Sequence, residues 1–463
     1  MKKRMLFACL LLLFVVSCKK SNNGGGDPNP DPDPDPTPVG NKPAFSWSKK
    51  FKNITVYGIT TDADDNIYMA GATSNTTDLG GGAVNGKNMF IAKYKGSGDF
   101  IWQKIYSPAP GFSEAGFMKD LVVDSKGNII AAGLLTQSAS LDGVNNELST
   151  NGRTAPFVIK LDKDGKYIWH RMYPAGVFSG VGDIIIDDNN SVVLSGHFSG
   201  VLNDRVSKGK IDAFVAGLDE NGHDTFTKAY GRSNDDNDDY APFMQRGKDK
   251  LFYITRSFKD EIRGDMFFTA AGNNFNTYYF NSDATGQVPL AGKVGDVSGS
   301  VNSWSITAAA TGDVFLAGNF SQTVDFGDGA VTTSVVNPFI LSVNNKGAFK
   351  WKKVFGAGVF AENTHITWLN NDLLIAGYTG FYNTSGTSIQ LGGETIDTRK
   401  PKVYWVCYDT SGNYKWEILF DGSESGSYCK DICVDSKGHI IAAGNFVLPG
   451  ESTANVDYIL VKY

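Results

Sequence analysis

The segment DSKGNIIAAG (Asp124–Gly133) occurs again, with one residue changed, as DSKGHIIAAG (Asp435–Gly444). In both copies a polar turn is followed by a short apolar run that ends in small residues. Variants of this pattern occupy five further segments: Asp62–Gly71, Asp187–Gly196, Gly247–Arg256, Thr311–Gly318 and Asn370–Gly377. Seven copies of one pattern predict a repeat architecture, because a single copy cannot bury its own faces alone.

Each copy is followed by a long loop and by two more strand-like segments that a glycine turn joins. In the first copy these are MFIAKY (Met89–Tyr94) and a run around Trp102, separated by Lys-Gly-Ser-Gly-Asp, which is typical of a hairpin turn. The corresponding outer positions of later copies are Trp169, Phe226, Leu290, Trp351 and Trp416. No segment has the period of a long amphipathic helix. Each unit therefore predicts four antiparallel strands, which is the composition of a propeller blade.

The two ends of the chain complement each other. The seventh unit stops at Tyr463 after its third strand, whereas Phe45–Phe51, which carries Trp47, is a spare outer strand ahead of the first unit. Pairing the two would complete the last blade and leave no free sheet edge at the seam. An open solenoid would need polar capping units, and the sequence shows none. We predict an all-β fold, a seven-bladed β-propeller of four-stranded antiparallel blades over residues 44–463, closed by the N-terminal and C-terminal strands.

Residues 1–17 have the features of a lipoprotein signal peptide. A basic start (Lys2–Arg4) precedes the apolar run Leu6–Val16, which is shorter than the roughly 20 residues that a membrane-spanning helix needs. Val-Val-Ser-Cys at the end of the run resembles the lipobox of bacterial lipoproteins. That resemblance implies lipidation of Cys18, with palmitate among the expected acyl groups. The alternative is an ordinary secretory signal with an incidental cysteine.

Residues 18–43 begin with Cys18 and continue as a low-complexity tether. Its glycines make the first part flexible, and its alternating Asp-Pro dipeptides favour extended chain. Lys19 follows the cysteine, which by resemblance to lipoprotein sorting rules favours the bacterial outer membrane over the inner one. We expect the lipid anchor to bind that membrane, with the periplasmic and the cell-surface face both left open.

The formal net charge of the chain is −6, and no Lys/Arg-rich tract stands out. These features argue against a nucleic-acid partner. We expect a monomer.

Three cysteines remain after the N-terminal segment: Cys407, Cys429 and Cys433. Cys429 and Cys433 lie four positions apart in a predicted strand, about 13 Å along it, so they cannot bridge each other. A disulfide between Cys407 and Cys433 is geometrically conceivable across one blade. We favour the alternative, in which the cysteines are buried free thiols that act as small apolar residues.

The repeating units resemble the SBBP-type β-propeller repeat of extracellular bacterial proteins. The segments that carry the resemblance are DAFVAGLD (Asp212–Asp219), DKDGKYIW (Asp162–Trp169) and DSKGNIIAAG (Asp124–Gly133). Together with the lipobox and the tether, they make the chain similar to the cell-surface lipoproteins of the Bacteroidetes. The resemblance implies a fold and a location in the cell envelope, and it implies no chemistry.

Loop lengths indicate which face of the propeller carries an interaction surface. The loops between strands two and three, such as Ala72–Asn88 and Tyr378–Lys402, are long, and they emerge on the same face as the connections between blades. Binding residues often lie on long loops that a rigid scaffold holds. An aromatic residue recurs on the connections between blades: Phe112, Phe178, Tyr240, Phe360 and Tyr428. These rings are either stacking platforms for a ligand or, as we favour, packing between blades.

An acidic cluster, SNDDNDDY (Ser233–Tyr240), follows the fourth strand of the third unit. Its carboxylates are Asp235, Asp236, Asp238 and Asp239. They could bind Ca²⁺, but the spacing of a calcium loop with a terminal Glu is missing, and we favour a solvated loop. We expect no other cofactor and no metal site.

Signs of catalysis are few. The five histidines lack metal-ligand spacing, and no nucleophile elbow or phosphate loop is present. His365, with Glu362 nearby, is the one acid/base candidate. We therefore expect a non-enzymatic binding module for a glycan or protein ligand on the long-loop face.

Two alternatives stay open. One is a carbohydrate-active hydrolase or lyase that gathers carboxylates from different blades at the channel mouth. The other is a structural subunit of an outer-membrane complex. A cluster of buried carboxylates or histidines with shifted pKa values would favour the enzyme.

Overall fold

The structure is a computed structural model whose described part runs from residue 42 to residue 463. Within that span it leaves out residues 137, 141–146, 151–153, 174–178, 209, 232–240, 271–273, 284, 296–297, 356–360, 380–387, 394, 398–400, 423–426 and 452–456. The predicted signal peptide, Cys18 and nearly all of the tether lie outside the described residues. The described chain contains strands and turns but no helix, and hence no helix that could span a membrane.

Seven four-stranded antiparallel sheets form a β-propeller, which confirms the predicted fold. Blades are numbered along the chain, and their strands are given from the innermost outward. The strands of blades 1 to 3 are Ile54–Thr61, Ile67–Thr73, Met89–Tyr94 and Phe100–Tyr106; Gly116–Val123, Ile129–Leu135, Ala155–Leu161 and Tyr167–Met172; and Ser179–Ile186, Val192–Phe198, Asp212–Leu218 and Asp224–Tyr230.

The remaining blades repeat this arrangement. The strands of blades 4 to 6 are Phe243–Arg246, Phe252–Phe258, Asn276–Ser282 and Ala291–Val294; Ser300–Ala308, Val314–Asp325, Ala330–Val343 and Phe349–Val354; and Ala361–Leu369, Asp372–Thr379, Lys402–Tyr408 and Tyr414–Asp421. The strands of blade 7 are Tyr428–Val434, Ile440–Asn445, Tyr458–Lys462 and Trp47–Phe51. Each innermost strand contacts the innermost strand of the next blade, and that of blade 7 contacts that of blade 1, so the ring is closed.

Both ends of the chain build blade 7. Trp47 pairs with Lys462 and Phe51 with Tyr458 in an antiparallel register. The ring of Phe45 also meets the ring of Tyr463 edge-on, with centroids 5.5 Å apart. The predicted closure by the two ends is confirmed.

Seven clusters of buried side chains hold the ring together, and each of them joins two neighbouring blades. Between blades 1 and 2, for example, Tyr68 packs in one cluster with Met118 and Phe157, and all three are fully buried. The second and third strands of a blade have neighbours on both faces, which explains why their sequences are apolar without interruption. The stability of such a repeat array comes largely from contacts between neighbouring units.

The outer-strand tryptophans explain the glycine turns. The indole nitrogen Nε1 of Trp169 donates to the backbone carbonyl of Glu220 in the next blade at 3.1 Å. Gly222 in the same turn has a φ of +84°, and a Cβ atom there would lie 2.8 Å from the Trp169 ring. Trp47 makes the equivalent bond to Gly96 across the closing seam at 3.1 Å. Trp and Gly therefore form one contact between blades.

In three blades a buried ion pair between a lysine and the turn aspartate reinforces the contact with the neighbouring blade. In blade 2 the ammonium group of Lys160 lies 2.9 Å from the carboxylate of Asp124, and both side chains are almost fully buried. Lys160 also donates to the carbonyl of Glu220 in blade 3 at 3.2 Å. The equivalent ion pairs in blades 1 and 7 are Lys93 with Asp62 at 3.4 Å and Lys462 with Asp435 at 2.8 Å. The repeated turn aspartates thus serve the structure.

Cys407, Cys429 and Cys433 are free thiols, and the first two are buried. The conceivable bridge between Cys407 and Cys433 is not formed. Burial raises the pKa of the Cys407 thiol to about 12, so it stays protonated at neutral pH. This is the arrangement that the sequence favoured.

Small hairpins extend the loops between strands two and three, which the sequence had predicted only as loops. They comprise Thr77–Asp78 with Ala83–Val84, Ser138–Ser140 with Glu147–Ser149, Val201–Leu202 with Arg205–Val206, Glu261–Arg263 with Phe267–Thr269, and Ser388–Gln390 with Thr395–Asp397. In blade 5 the second and third strands themselves continue into such a hairpin. The Asp78 carboxylate orders the first hairpin by accepting the backbone N–H groups of Gly80 at 2.7 Å and Gly82 at 3.1 Å.

Candidate functional site

The innermost strands of all seven blades enclose a central cavity of about 590 Å³. One lining residue from each blade, in order from blade 1 to blade 7, is Tyr57, Lys119, Asp183, Phe243, Trp304, His365 and Asp431. The walls therefore combine aromatic rings with charged groups of both signs. Pockets of this size and composition are typical of sites for small ligands.

A bulge in the innermost strand decides which side chains reach the cavity. Over the described residues, the pairing of the first and second strands shifts register in six blades, next to Asp120 in blade 2 and next to Asp431 in blade 7, for example. A β-bulge leaves a residue unpaired and re-aims the side chains beside it. In blades 2 and 7 the cavity lining accordingly includes two consecutive charged residues, Lys119 with Asp120 and Lys430 with Asp431.

Three carboxylates of the cavity wall connect neighbouring blades. Each accepts a backbone N–H from the innermost strand of the next blade: Asp120 from Ile184 at 2.9 Å, Asp183 from Met244 at 2.7 Å, and Asp431 from Ile59 at 2.7 Å. The other oxygen of Asp120 accepts the N–H of Leu121, and that of Asp431 accepts the N–H of Ile432, both at 2.8 Å. These bonds fix the orientation of the carboxylates and hold the inner wall of the ring together.

The same carboxylates have raised pKa values. Burial raises the pKa of Asp120 well above its usual 3.8, and the nearby charges of Asp183 and Asp431 raise it further. Burial likewise raises the pKa of Asp183, and it raises that of Asp431 to about 7, against the lowering effect of its backbone N–H donors. Asp431 therefore titrates near neutral pH, and because the three carboxyls interact, their titration belongs to the group as a whole.

Basic groups lie in the same cavity. Burial lowers the pKa of Lys430, whose ammonium nitrogen is 5.2 Å from the centre of the Tyr57 ring, and Lys119 lowers it further. His365 has its Nδ1 atom 3.8 Å from a carboxylate oxygen of Asp431. Burial lowers the pKa of His365 to about 4, so its imidazole is neutral at pH 7.

Aromatic rings complete the walls. The rings of the lining residues Phe243 and Trp304 meet edge-on, with centroids 5.8 Å apart, and the ring of Tyr57 packs at 5.0 Å against Phe117 of the next blade. Trp304 Nε1 and Gln245 Oε1 are buried atoms without a hydrogen-bond partner among the described residues. Both atoms are shielded from solvent, so the rings rather than these atoms face the cavity.

The structure places three of the predicted binding residues, and they do not form one group. His365 lines the cavity, and its side chain is 28% exposed. Tyr428 also lines the cavity, and its ring contacts Tyr458 at 6.4 Å. Phe112 lies on the connection between blades 1 and 2 and is 43% exposed. The remaining predicted residues, Phe178, Asp235, Asp236, Asp238, Asp239, Tyr240 and Phe360, and the side chain of Glu362, lie outside the described part of the chain.

The charged residues of the cavity were missed from the sequence. They lie in the middle of the innermost strands rather than in the long loops. A signal was present: KDLVVDSKG (Lys119–Gly127) and KDICVDSKG (Lys430–Gly438) share a Lys-Asp pair inside an apolar strand, directly before the turn that defines the repeat. Two adjacent charges in such a strand indicate a bulge, because strict alternation would bury one of them in the sheet packing.

Among the described residues, no three His, Cys, Asp or Glu side chains are grouped so that they could hold a metal ion. A calcium site at Asp235–Asp239 falls on residues that the structure does not describe.

No family model matches the chain. The chain is 25% identical over 197 aligned residues to an uncharacterized WD repeat-containing protein of Acanthamoeba polyphaga mimivirus, in a match that covers 34% of this chain and 14% of that protein. A crystal structure of a protein of unknown function from Bacteroides caccae is 12% identical with a TM-score of 0.37, and the match covers 76% of this chain and 93% of that one.

Another similar structure is an alpha-L-arabinofuranosidase of Fusarium graminearum in complex with arabinobiose. It is 9% identical with a TM-score of 0.36, and the match covers 90% of this chain and 96% of that one. Similarities this low carry no argument about function, and the propeller fold rests on the sheets themselves.

Proposed function

We propose that this protein is a carbohydrate-binding module of the bacterial cell envelope, anchored through Cys18, which takes a glycan segment into its central channel. The observation that supports the proposal best is the composition of one cavity. Aromatic residues from blades 1, 4, 5 and 7 line it together with charged groups. Sugars present both apolar ring faces and many hydroxyls, so they match walls of this kind.

The bonding of the carboxylates favours binding over hydrolysis. Asp120 and Asp431 have both oxygens engaged by backbone N–H groups, and these bonds connect blades. An acid/base residue in glycosidic cleavage has to exchange a proton with the glycosidic oxygen or with water. Carboxylates held in this way are better suited to maintaining the ring and shaping the cavity.

A glycan array with the detergent-solubilised full-length protein tests the proposal. We expect selective binding of one glycan class, and the change Trp304→Ala should weaken it about tenfold or more, because a central aromatic contact is lost. Phe267→Ala serves as the control, since Phe267 is 57% exposed on a small hairpin of blade 4. Binding to no glycan, or equal loss in both variants at unchanged melting temperature, would refute a glycan site in the channel.

One observation favours a second candidate, a carbohydrate-active hydrolase or lyase. The pKa of Asp431 is raised to about 7, and the neutral His365 lies beside it, so the two could share proton transfer near neutral pH. The glycans that bind should then be incubated with the protein and the products examined by mass spectrometry. Cleavage that is abolished in Asp431→Asn would replace the binding proposal with the enzymatic one. Intact glycans after long incubation would exclude it.

A further inference from the structure

We infer that the glycan in the channel is acidic, carrying carboxylate or sulfate groups, and that Lys119 and Lys430 bind its acidic group. This inference rests on the proposed function and names the ligand class of the same site. It comes from the charge arrangement of the cavity wall.

The two lysines occupy equivalent positions. Each is the residue directly before the carboxylate at the bulge of its innermost strand, in blades 2 and 7, and each lines the cavity. Among the described residues, no carboxylate oxygen lies within 4.0 Å of either ammonium nitrogen. Lys119 acts electrostatically on Asp183, Asp431 and His365, which belong to three other blades. Its charge therefore lies in the central part of the channel.

The nearby carboxylates of the described chain attract these lysines electrostatically, as Asp431 does Lys430, but they form no direct ion pair with them. Asp120 and Asp431 direct both oxygens to backbone N–H groups, and Asp183 directs one to Met244. Burial raises the pKa of all three carboxyls, that of Asp431 to about 7, so Asp431 carries only part of its negative charge at neutral pH. Lys119 lowers the pKa of Lys430, which is the effect of two like charges close together. An anion that enters the cavity would relieve this repulsion.

The aromatic lining of the cavity favours a sugar as the carrier of the anion. The rings of Tyr57, Phe243 and Trp304 supply faces for the apolar side of a pyranose. A free anion would use the lysines but would leave these faces unused.

Isothermal titration calorimetry on the detergent-solubilised full-length protein tests the inference with three probes. These are an oligogalacturonate, a neutral galacto-oligosaccharide of the same length, and inorganic sulfate. We expect the oligogalacturonate to bind at least about tenfold more tightly than the neutral oligosaccharide at low salt, and the difference to shrink as sodium chloride is added. Sulfate alone should bind more weakly than the oligogalacturonate.

Variants assign the effect to the lysines. Lys119→Met and Lys430→Met should each lower the affinity for oligogalacturonate about tenfold and leave that for the neutral probe unchanged, whereas Lys119→Arg should retain binding. Lys346→Met, at an exposed turn of blade 5, is the control. A methionine variant without a melting transition has failed to fold. In that case the comparison of acidic and neutral probes on the wild-type protein, together with the binding measured for Lys119→Arg, still tests the inference.

The outcomes separate the two proposals. Equal affinity for the acidic and neutral oligosaccharides overturns the acidic-ligand inference and leaves the glycan site standing. Sulfate that binds as tightly as the oligogalacturonate shows a simple anion site and overturns the sugar part. Failure of every oligosaccharide on the wider array removes the proposed function itself.

Discussion

Lysine and aspartate side by side in an apolar strand set the character of the channel. At Lys119–Asp120 and again at Lys430–Asp431, the bulge directs both residues to the cavity. The aspartate then reaches the backbone of the next blade, while no carboxylate of the described chain pairs with the lysine. A dipeptide thus serves both the assembly of the ring and the charge of its interior.

The raised pKa of Asp431 leads to a pH-dependent contribution to stability. Burial raises this pKa from 3.8 to about 7, so between these values the folded chain binds more protons than the unfolded chain. The contribution of this group to the free energy of unfolding therefore falls as the pH rises from about 4 to 7. Outside that window the group has the same protonation in both states and adds no slope.

Asp431→Asn removes the titrating group, and we expect a flatter dependence of the unfolding free energy between pH 4 and 8. Urea denaturation at several pH values measures it. Asp64→Asn, at an exposed turn position of blade 1, should behave like the wild type. The interpretation is wrong if Asp431→Asn retains the wild-type slope.

At the scale of single residues, the sequence predicted the turns well and the cavity residues poorly. The polar segment that opens each repeat was predicted to be a turn, and there Asp124 accepts the N–H groups of Lys126 and Asn128. His365 was named as an acid/base candidate and lines the cavity. The Lys-Asp pairs were passed over, because a site gathered from seven blades has no contiguous motif. The repeated dipeptide was the signal that could have revealed it.

At the scale of elements, blade 7 depends on a strand from the opposite end of the chain. Phe51 is buried, and it belongs to a cluster that also contains Tyr94 of blade 1 and Leu460 of blade 7. Removing Phe45–Phe51 would expose the edge of Tyr458–Lys462 and open this cluster to water. The strand therefore holds the ring closed.

We expect deletion of Phe45–Phe51 to lower the melting temperature by roughly 10 °C or more, because several buried side chains and a full set of strand hydrogen bonds are lost at once. Differential scanning calorimetry checks this. Deletion of residues 27–36 from the tether is the control and should leave the transition unchanged. Coincident transitions for all three proteins would show that the closing strand is dispensable.

The blades were predictable because their pattern is repeated seven times with the same turns and the same apolar strands. The small hairpins were not predicted, since strands of two or three residues carry too little periodicity. Their recurrence was nevertheless readable: DLGGGAV (Asp78–Val84) and DFGDGAV (Asp325–Val331) have the same aspartate, and in both it accepts two glycine N–H groups.

At the scale of the whole molecule, the ring is a series of similar interfaces around one cavity. Each cluster of buried residues belongs to two blades, so no blade is a separate core. The number of blades and the closure followed from counting repeats and comparing the ends of the chain. The charge of the interior did not follow, because it depends on how seven distant strands are oriented about a common axis.

We also predict that the whole protein is retained on membranes through Cys18. Cys18→Ala should move it from the membrane fraction to the soluble fraction after cell lysis, because acyl chains supply the anchoring energy. Immunoblotting of the separated fractions measures this. Cys407→Ala, which changes a buried thiol of blade 6, should stay with the membranes. If Cys18→Ala stays in the membrane fraction like the wild type, something other than a lipid on Cys18 holds the protein on the membrane.

The pairing of Trp47–Phe51 with Tyr458–Lys462 has a consequence for biogenesis. The ribosome makes the first strand about 400 residues before the strand that pairs with it, so folding of the last blade has to wait until Tyr458–Lys462 has been made. During that interval the early strand is an open edge, at risk of pairing with other nascent chains. Lys49 and Lys50 place positive charge on it and discourage such encounters, and on completion Lys50 finds Glu451 at 2.7 Å.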